Sequence, residues 1–402
     1  MVSMKTMVCF LSFLLGFGAS FAYSQPPGEA NASAILKAGR LLDVSKGAYI
    51  ENGGVWIERG RIKEVGPVGQ IEDHAPKDAM VIDLGRSTVL PGLIDCHTHL
   101  LARFANTPDG YLLGLATKSE AFRALEGAAN ARATLNAGFT TVRDVENEGS
   151  GYADVALRDA INQGLIEGPR MQVATRAIAA IGQYNPFGVS PDLTTFPTGA
   201  QMISGTEDAR RAVREQIGHG ADLITTTPEG IKNALAAGVD SIEHGHGVDR
   251  QGLEMMREKA VFLVPTVGVV DESMAARLEA ATPEQRERMS VFLNGIDQEV
   301  KQAISLGVKL ASGFDASGVG RHGRNAQELV GLVRHGLHPA DAIRAATINA
   351  AELLGWQDRV GAIDAGKFAD LIAVDGDPLA EISVLTQVRF VMKEGMIVKT
   401  GR

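Results

Sequence analysis

Residues 221–245 read ADLITTTPEGIKNALAAGVDSIEHG, and the number of elements in that stretch decides the fold. ADLI has the apolar texture of a short strand. PEGIKNALAAG follows as a helix that ends at glycine, and DSIEHG reads as the next strand. The interval Thr225–Asp240 has room for that one helix only. A complete strand–helix–strand unit takes about 30 residues.

Outward from this stretch the alternation repeats. Strand signals occur at VLPGLIDC, TTVRDV, RMQVATRAI, VFLVPTV and KLASGF. Helical patterns lie between them, including SEAFRALEGAANARATLNAG, TEDARRAVREQIGHG and PEQRERMSVFLNGIDQEVKQAISLG. Such alternation specifies a parallel sheet covered by helices. No Gly-rich dinucleotide loop follows the first strand, so a barrel fits better than an open nucleotide-binding sheet. With ADLI and DSIEHG the count is seven strands, where an ordinary barrel closes with eight. We therefore expect an α/β fold: a TIM-like (β/α) barrel over 88–358, lacking one helix–strand unit. The flanks, 25–87 and 359–402, carry short alternating strands broken by Gly and Asn. Neither buries a sheet face alone, and together they are expected to form a small β-sandwich.

The bulk properties narrow the function. The chain has 402 residues, 45% hydrophobic and 22% charged, with net charge -9. No Lys/Arg cluster stands out, which argues against a nucleic-acid surface. Residues 7–22, MVCFLSFLLGFGASFA, follow Lys5 and end in small residues. This reads as a signal peptide over 1–24, giving a secreted or periplasmic protein without a permanent membrane anchor. Once it is removed, Cys96 is the only cysteine, so no intramolecular disulfide can form.

The chemistry starts at PGLIDCHTHL. Side chains two apart on a strand face the same way, so His97 and His99 point together at the C-terminal end of the first barrel strand. Neutral imidazoles so placed can share a metal ion. His244 closes DSIEHG at the same rim, with His246 as a competitor two residues on. Asp315 ends KLASGFD, where a carboxylate can ligate a metal and take a proton from water; a capping role is its alternative. His322 is a candidate for orienting substrate or stabilising an oxyanion, and Arg321 and Arg324 for binding a carboxylate. Tyr184 is a weaker pocket candidate, and Asp144 a candidate acceptor supporting the ligands. No GxSxG and no GxxxxGK occurs, so serine-nucleophile and phosphate-loop chemistries lack support.

VLPGLIDCHTHL, TLNAGFTTVRD, AGVDSIEHG, GVKLASGFDA, HGRNAQEL, AIRAATINAAELLG and VGAIDAGKFADLIAVDGDPL occur in this order. As a set they resemble the amidohydrolase superfamily, in particular its imidazolonepropionase-like, ochratoxinase-like or peptidase-like branch. The resemblance implies a metal-bearing barrel with His97, His99, His244 and Asp315 as ligands to one or two divalent ions. Zinc is favoured, with Mn, Fe and Co left open. It also implies hydrolysis of an amide or related C–N bond in an acyl-amino acid, dipeptide or cyclic amide by metal-activated water. Asp315 would serve as proton shuttle. The substrate would be a small amide or peptide-like molecule, and homo-oligomerisation is left open. Related enzymes usually carry a lysine after the fourth strand and a histidine after the fifth. Here both are missing: Lys232 lies inside a helix, and no histidine occurs between His219 and His244. This apparent internal deletion leaves three readings: a rearranged active hydrolase, a non-catalytic or truncated barrel, or a sequence from which a segment has been omitted.

Overall fold

The computed structural model describes residues 33–401, except 106, 108, 185–189, 191, 193–196 and 227–229. The expected signal peptide, 1–24, lies outside the described residues. The first strands are β1 (Ser33–Asp43), β2 (Ala48–Glu58), β3 (Arg61–Pro67), β4 (Met80–Asp83) and β5 (Thr88–Pro91). Next come β6 (Leu93–Thr98), β7 (Phe139–Asp144), β8 (Arg170–Val173), β9 (Ala177–Ala180), β10 (Ala200–Ile203), β11 (Ser241–Glu243) and β12 (Phe262–Val264). The last are β13 (Leu371–Val374), β14 (Phe390–Lys393) and β15 (Met396–Thr400).

Both chain ends share one eight-stranded sheet, ordered β15-β14-β13-β5-β1-β2-β3 with β4 beside β1. The strands expected to form a small β-sandwich from both chain ends are joined by hydrogen bonds into this one sheet. The stitch is β5, parallel to β1 on one side and antiparallel to β13 on the other. The sequence signal VLPGLIDC thus serves two sheets: Thr88–Pro91 goes to the terminal sheet and Leu93–Thr98 to the barrel side. Leu36, Val55, Ile57, Ile62, Leu371 and Phe390 pack together on this sheet.

The barrel-type strands form an incomplete ring. β6, β7 and β8 are parallel neighbours. On its other side β6 meets the chain around Asp315: Cys96 N donates to Ser312 O (2.8 Å), and Asp315 N to His97 O (2.9 Å). Residues 309–311 bond to β12 through Lys309 O and Ala311 N, and β12 pairs in parallel with β11. Beyond β8, Asp222 alone takes the place of a strand. Its amide donates to Val173 O (2.8 Å), and its carboxylate accepts from Val173 N (3.0 Å).

Three expectations therefore need correcting. ADLI is not a strand; the next residues turn away, and Thr226 bridges Ile178 beside the β9–β10 pair. KLASGF contributes only the isolated bridge Leu263↔Leu310. No closed barrel forms: among the described residues, no backbone hydrogen bond joins 221–226 to β11. The break falls within the short interval Thr225–Asp240, crossed by the helix Ile231–Ala237. Arg143 of β7 reaches across the interior and ties the halves together. It donates to Cys96 O (2.7 Å), Ser241 Oγ (3.0 Å) and Glu243 Oε1 (2.7 Å).

The helices mostly follow the sequence signals. Thr282 and Gln285 make a capping box at the start of Pro283–Leu306, the longest helical pattern. Val267–Ala280 was not anticipated, because Pro265 and Gly268 mask its start. Buried Glu328 accepts from the amides of Val267 (3.2 Å) and Gly268 (2.6 Å) at that end. No described helix is long and apolar enough to cross a membrane.

Candidate metal centre

β6 places His97 and His99 on the same side, as period-2 alternation requires, and both are buried. Their Nε2 atoms lie 3.2 Å apart. Asp315 Oδ1 stands 3.3 Å from His99 Nε2 and 3.8 Å from His97 Nε2. The close approach of the two segments depends on Gly313: a Cβ there would lie 2.6 Å from His97 Cβ. His244 joins from the end of β11, its ring centroid 4.8 Å from that of His97. Ligand atoms of His97, His244 and Asp315 all lie within 4.8 Å of one another. His244 (φ 62°) and Asp315 (φ 60°) both hold left-handed backbone conformations. Such strain in non-glycine residues concentrates at functional sites.

His97 Nε2, His99 Nε2 and Asp315 Oδ1, 3.2–3.8 Å apart, match three corners of a tetrahedral ion site, whereas the wider cluster with His244 does not include His99. Ligand atoms around an ion with 2.0–2.1 Å bonds stand roughly 3.3 Å apart. The far nitrogens of His97 and His244 are also engaged, which fixes the ring nitrogen facing the centre. His97 Nδ1 is 2.8 Å from Glu243 Oε2, and His244 Nδ1 is 2.8 Å from Thr266 Oγ1. His99 Nδ1 lies 3.1 Å from Glu148 Oε1, at ion-pair distance but without hydrogen-bond alignment. Two Nε2 atoms facing each other at 3.2 Å suit a shared cation better than a direct hydrogen bond between them.

Electrostatics separate the groups. Burial would raise Glu243, but the Arg143 guanidinium and the His97 ring outweigh it and hold the carboxyl at about 2. Burial likewise opposes ionisation of Asp315, yet the His99, His97 and His244 rings keep it well below the ordinary range. Burial, then His97, pushes His244 down to about 4, which favours the neutral ring a metal needs.

The other sequence candidates divide. Tyr184 lines the same cavity and donates to Glu146; residues 185–189 beside it are outside the described set. Asp144 accepts from Leu100 N (2.7 Å) and Thr98 Oγ1 (3.1 Å), bracing the loop after His99. His322 is not on the cavity wall: its Nε2 lies 2.7 Å from Ala102 O, and burial lowers it to about 4. Arg324 pairs with Glu272 at 2.5 Å, with Arg321 3.7 Å from the same carboxylate. Lys232 pairs with Asp249 on an exposed helix. His246 stacks beside His244 at 5.8 Å. Cys96 is fully buried, and burial pushes its thiol up.

Four residues escaped the sequence reading. Glu243 was hidden as one letter of a strand, Arg143 as one of TTVRD, and Glu146 and Glu148 as turn-forming polar residues. A usable signal was present in VENEG, where two carboxylates follow directly on a barrel strand. A cavity of about 1310 Å³ joins the centre to the break, with His97, Asp315 and Glu243 on one wall and Asp222–Thr226 on another.

Comparison with known proteins agrees with this arrangement. A model described as the amidohydrolase family matches residues 88–398. Ochratoxinase from Aspergillus niger is 29% identical over 380 residues, covering 77% of this chain and 75% of that protein. Imidazolonepropionase from Brevibacillus brevis is 25% identical over 391 residues, covering 87% and 91%. A solved Xaa-Pro dipeptidase with methionine bound in its active site superposes with a TM-score of 0.79. It is 29% identical, and the match covers 91% of this chain and 99% of that one.

Proposed function

Because this chain belongs to the amidohydrolase family, we propose that it is a metal-dependent hydrolase cleaving an amide C–N bond in a small peptide-like substrate. The observation that carries this is the convergence of His97 and His99 Nε2 and Asp315 Oδ1 on one point, with His244 beside them. The metal-dependent hydrolysis of C–N bonds follows from the family and this donor set together.

We further propose a single ion, zinc by its imidazole-rich donors. One such cluster occurs among the described residues, and Lys232, committed to Asp249, offers no bridge to a second ion. A bound divalent cation would polarise the substrate carbonyl and make water acidic enough to attack near neutrality. In that scheme Asp315 would take a proton from the attacking water and deliver it to the leaving nitrogen as the C–N bond breaks. Glu243 keeps the His97 proton on Nδ1, and Arg143 holds Glu243 in place. The substrate is an acyl-amino acid, a dipeptide or a cyclic amide; the solved Xaa-Pro dipeptidase supports the dipeptide.

The broken ring favours one competing reading, a barrel that binds without turnover. Metal analysis with a hydrolysis panel of dipeptides, N-acyl amino acids and cyclic amides separates the two. Metal-dependent turnover supports the hydrolase, while folded, metal-loaded protein without turnover sinks it. Export is the proposed destination, on the strength of residues 1–24, and the N-terminal sequence of protein recovered outside the cytoplasm tests it. The proposed division at 25–87, 88–358 and 359–402 is tested by limited proteolysis.

A further inference from the structure

The helix Val267–Ala280 starts at Thr266, yet the Thr266 side chain does not cap it. A threonine in that position ordinarily turns its hydroxyl back to accept an amide of the first turn. Here Thr266 is fully buried in a left-handed conformation (φ 52°), which is strained for a β-branched residue. Its Oγ1 lies instead 2.8 Å from His244 Nδ1.

The cap comes from another element. Glu328, on the helix Gln327–Arg334, accepts from the amides of Val267 (3.2 Å) and Gly268 (2.6 Å). It is fully buried, and burial raises its carboxyl well above the ordinary range, with the charge of Asp95 adding to the rise. A buried carboxyl is a costly way to satisfy amides that a threonine hydroxyl could serve. The two helices meet closely at this point: a Cβ on Gly268 would lie 2.6 Å from Glu328 N. The turn that leads into Gln327–Arg334 is itself tied to the metal centre. Asn325 Nδ2 donates to Asp95 Oδ2 (2.7 Å), and Asp95 Oδ1 accepts from the amides of His97 (3.0 Å) and Phe314 (3.2 Å). Glu328 therefore reaches the turn behind His244 from a segment fixed to the strand of His97.

We propose that Glu328 is a positioning residue for the metal centre: it caps the helix in place of Thr266 and so leaves the Thr266 hydroxyl to hold His244 Nδ1–H, with Nε2 turned to the ion. This rests on the metal-centre reading above and adds a residue that touches neither ion nor substrate. Without Glu328 the freed amides compete for the Thr266 hydroxyl, and His244 loses the acceptor that fixes its tautomer.

The test is a double-mutant cycle on zinc affinity, read by competition with a chelating dye and independent of turnover. Thr266→Val and Glu328→Ala should each weaken zinc binding by about tenfold. The two changes together should cost no more than either alone, because both act through one hydrogen bond. Factors that multiply, or a folded Glu328→Ala protein with wild-type zinc affinity, overturn the proposal and reduce Glu328 to a structural cap. If Glu328→Ala fails to fold, Glu328→Gln takes its place, since its amide oxygen still accepts from one backbone amide while its NH2 opposes the other; the same two outcomes then decide. Side-chain 15N shifts of histidine-labelled, metal-free protein give a second readout. His244 should carry its proton on Nδ1 in wild type and lose that preference in the Glu328 variant. A wild-type ring protonated on Nε2, or a ring unchanged by the variant, overturns the proposal. Zinc-loaded wild type without turnover would end the hydrolase reading and leave both readouts of Glu328 intact.

Discussion

At the residue scale, the site works through the orientation of imidazoles. A histidine ring offers one lone pair only while its other nitrogen holds the proton, and Glu243 supplies that condition for His97. Glu243→Gln should therefore weaken zinc binding by roughly 10–100-fold, read by competition with a chelating dye. An unchanged zinc affinity would show that Glu243 serves Arg143 alone. Asp315 has the more direct role, and Asp315→Asn should lower kcat by at least about 100-fold. Steady-state kinetics on whichever dipeptide proves best checks this, and full activity would remove Asp315 from proton transfer. His97 and His99 were legible in advance because two residues along a strand is a local rule. His244 was harder to choose over His246, since the left-handed turn at its backbone decides which ring enters the centre.

At the scale of elements, the central feature is the break beside β11. Segment 221–226 leaves the ring after Asp222, so its role as a strand is reduced to one residue capping Val173. What spans the interior instead is the Arg143–Glu243 pair, a buried guanidinium on a partly buried carboxylate braced by Ser241. Removing one partner of such a pair leaves an uncompensated charge, which costs about 3–5 kcal/mol. Arg143→Met should lower unfolding stability by that amount in urea titration, while Lys232→Met, on the exposed helix, should change it by less than about 1 kcal/mol. Equal effects would mean that Arg143 does not hold the halves together. The sequence located this break by length alone. It missed how β5 stitches both chain ends into one sheet, because pairing between residues almost three hundred positions apart leaves no local pattern.

For the molecule as a whole, buried acids set the pH response. Burial raises Asp154 to about 6, against the opposing amides of Val155 and Thr175. Its unfolded value is about 3.9, so folding takes up a proton between the two. The Asp154 contribution to stability is then full below about pH 4 and falls as pH climbs toward 6, by roughly 3 kcal/mol. Thermal unfolding across that range should show a decline that flattens in Asp154→Asn; an identical slope in the variant would dismiss this account. The metal couples in the same way: a chelator should lower the unfolding temperature and zinc restore it, since binding favours only the folded chain.

The chain by itself determined most of its helices, the paired histidines at the end of β6, and the place where a helix–strand unit could not fit. Those features obey spacing and length, which act over a few residues. Only the folded molecule decided that the ring stays open, that Arg143 reaches Glu243, and that Glu146, Glu148, Tyr111 and Tyr184 gather beside His99. The physical reason is that such contacts depend on where distant backbone segments come to rest, and packing fixes that rather than neighbouring letters.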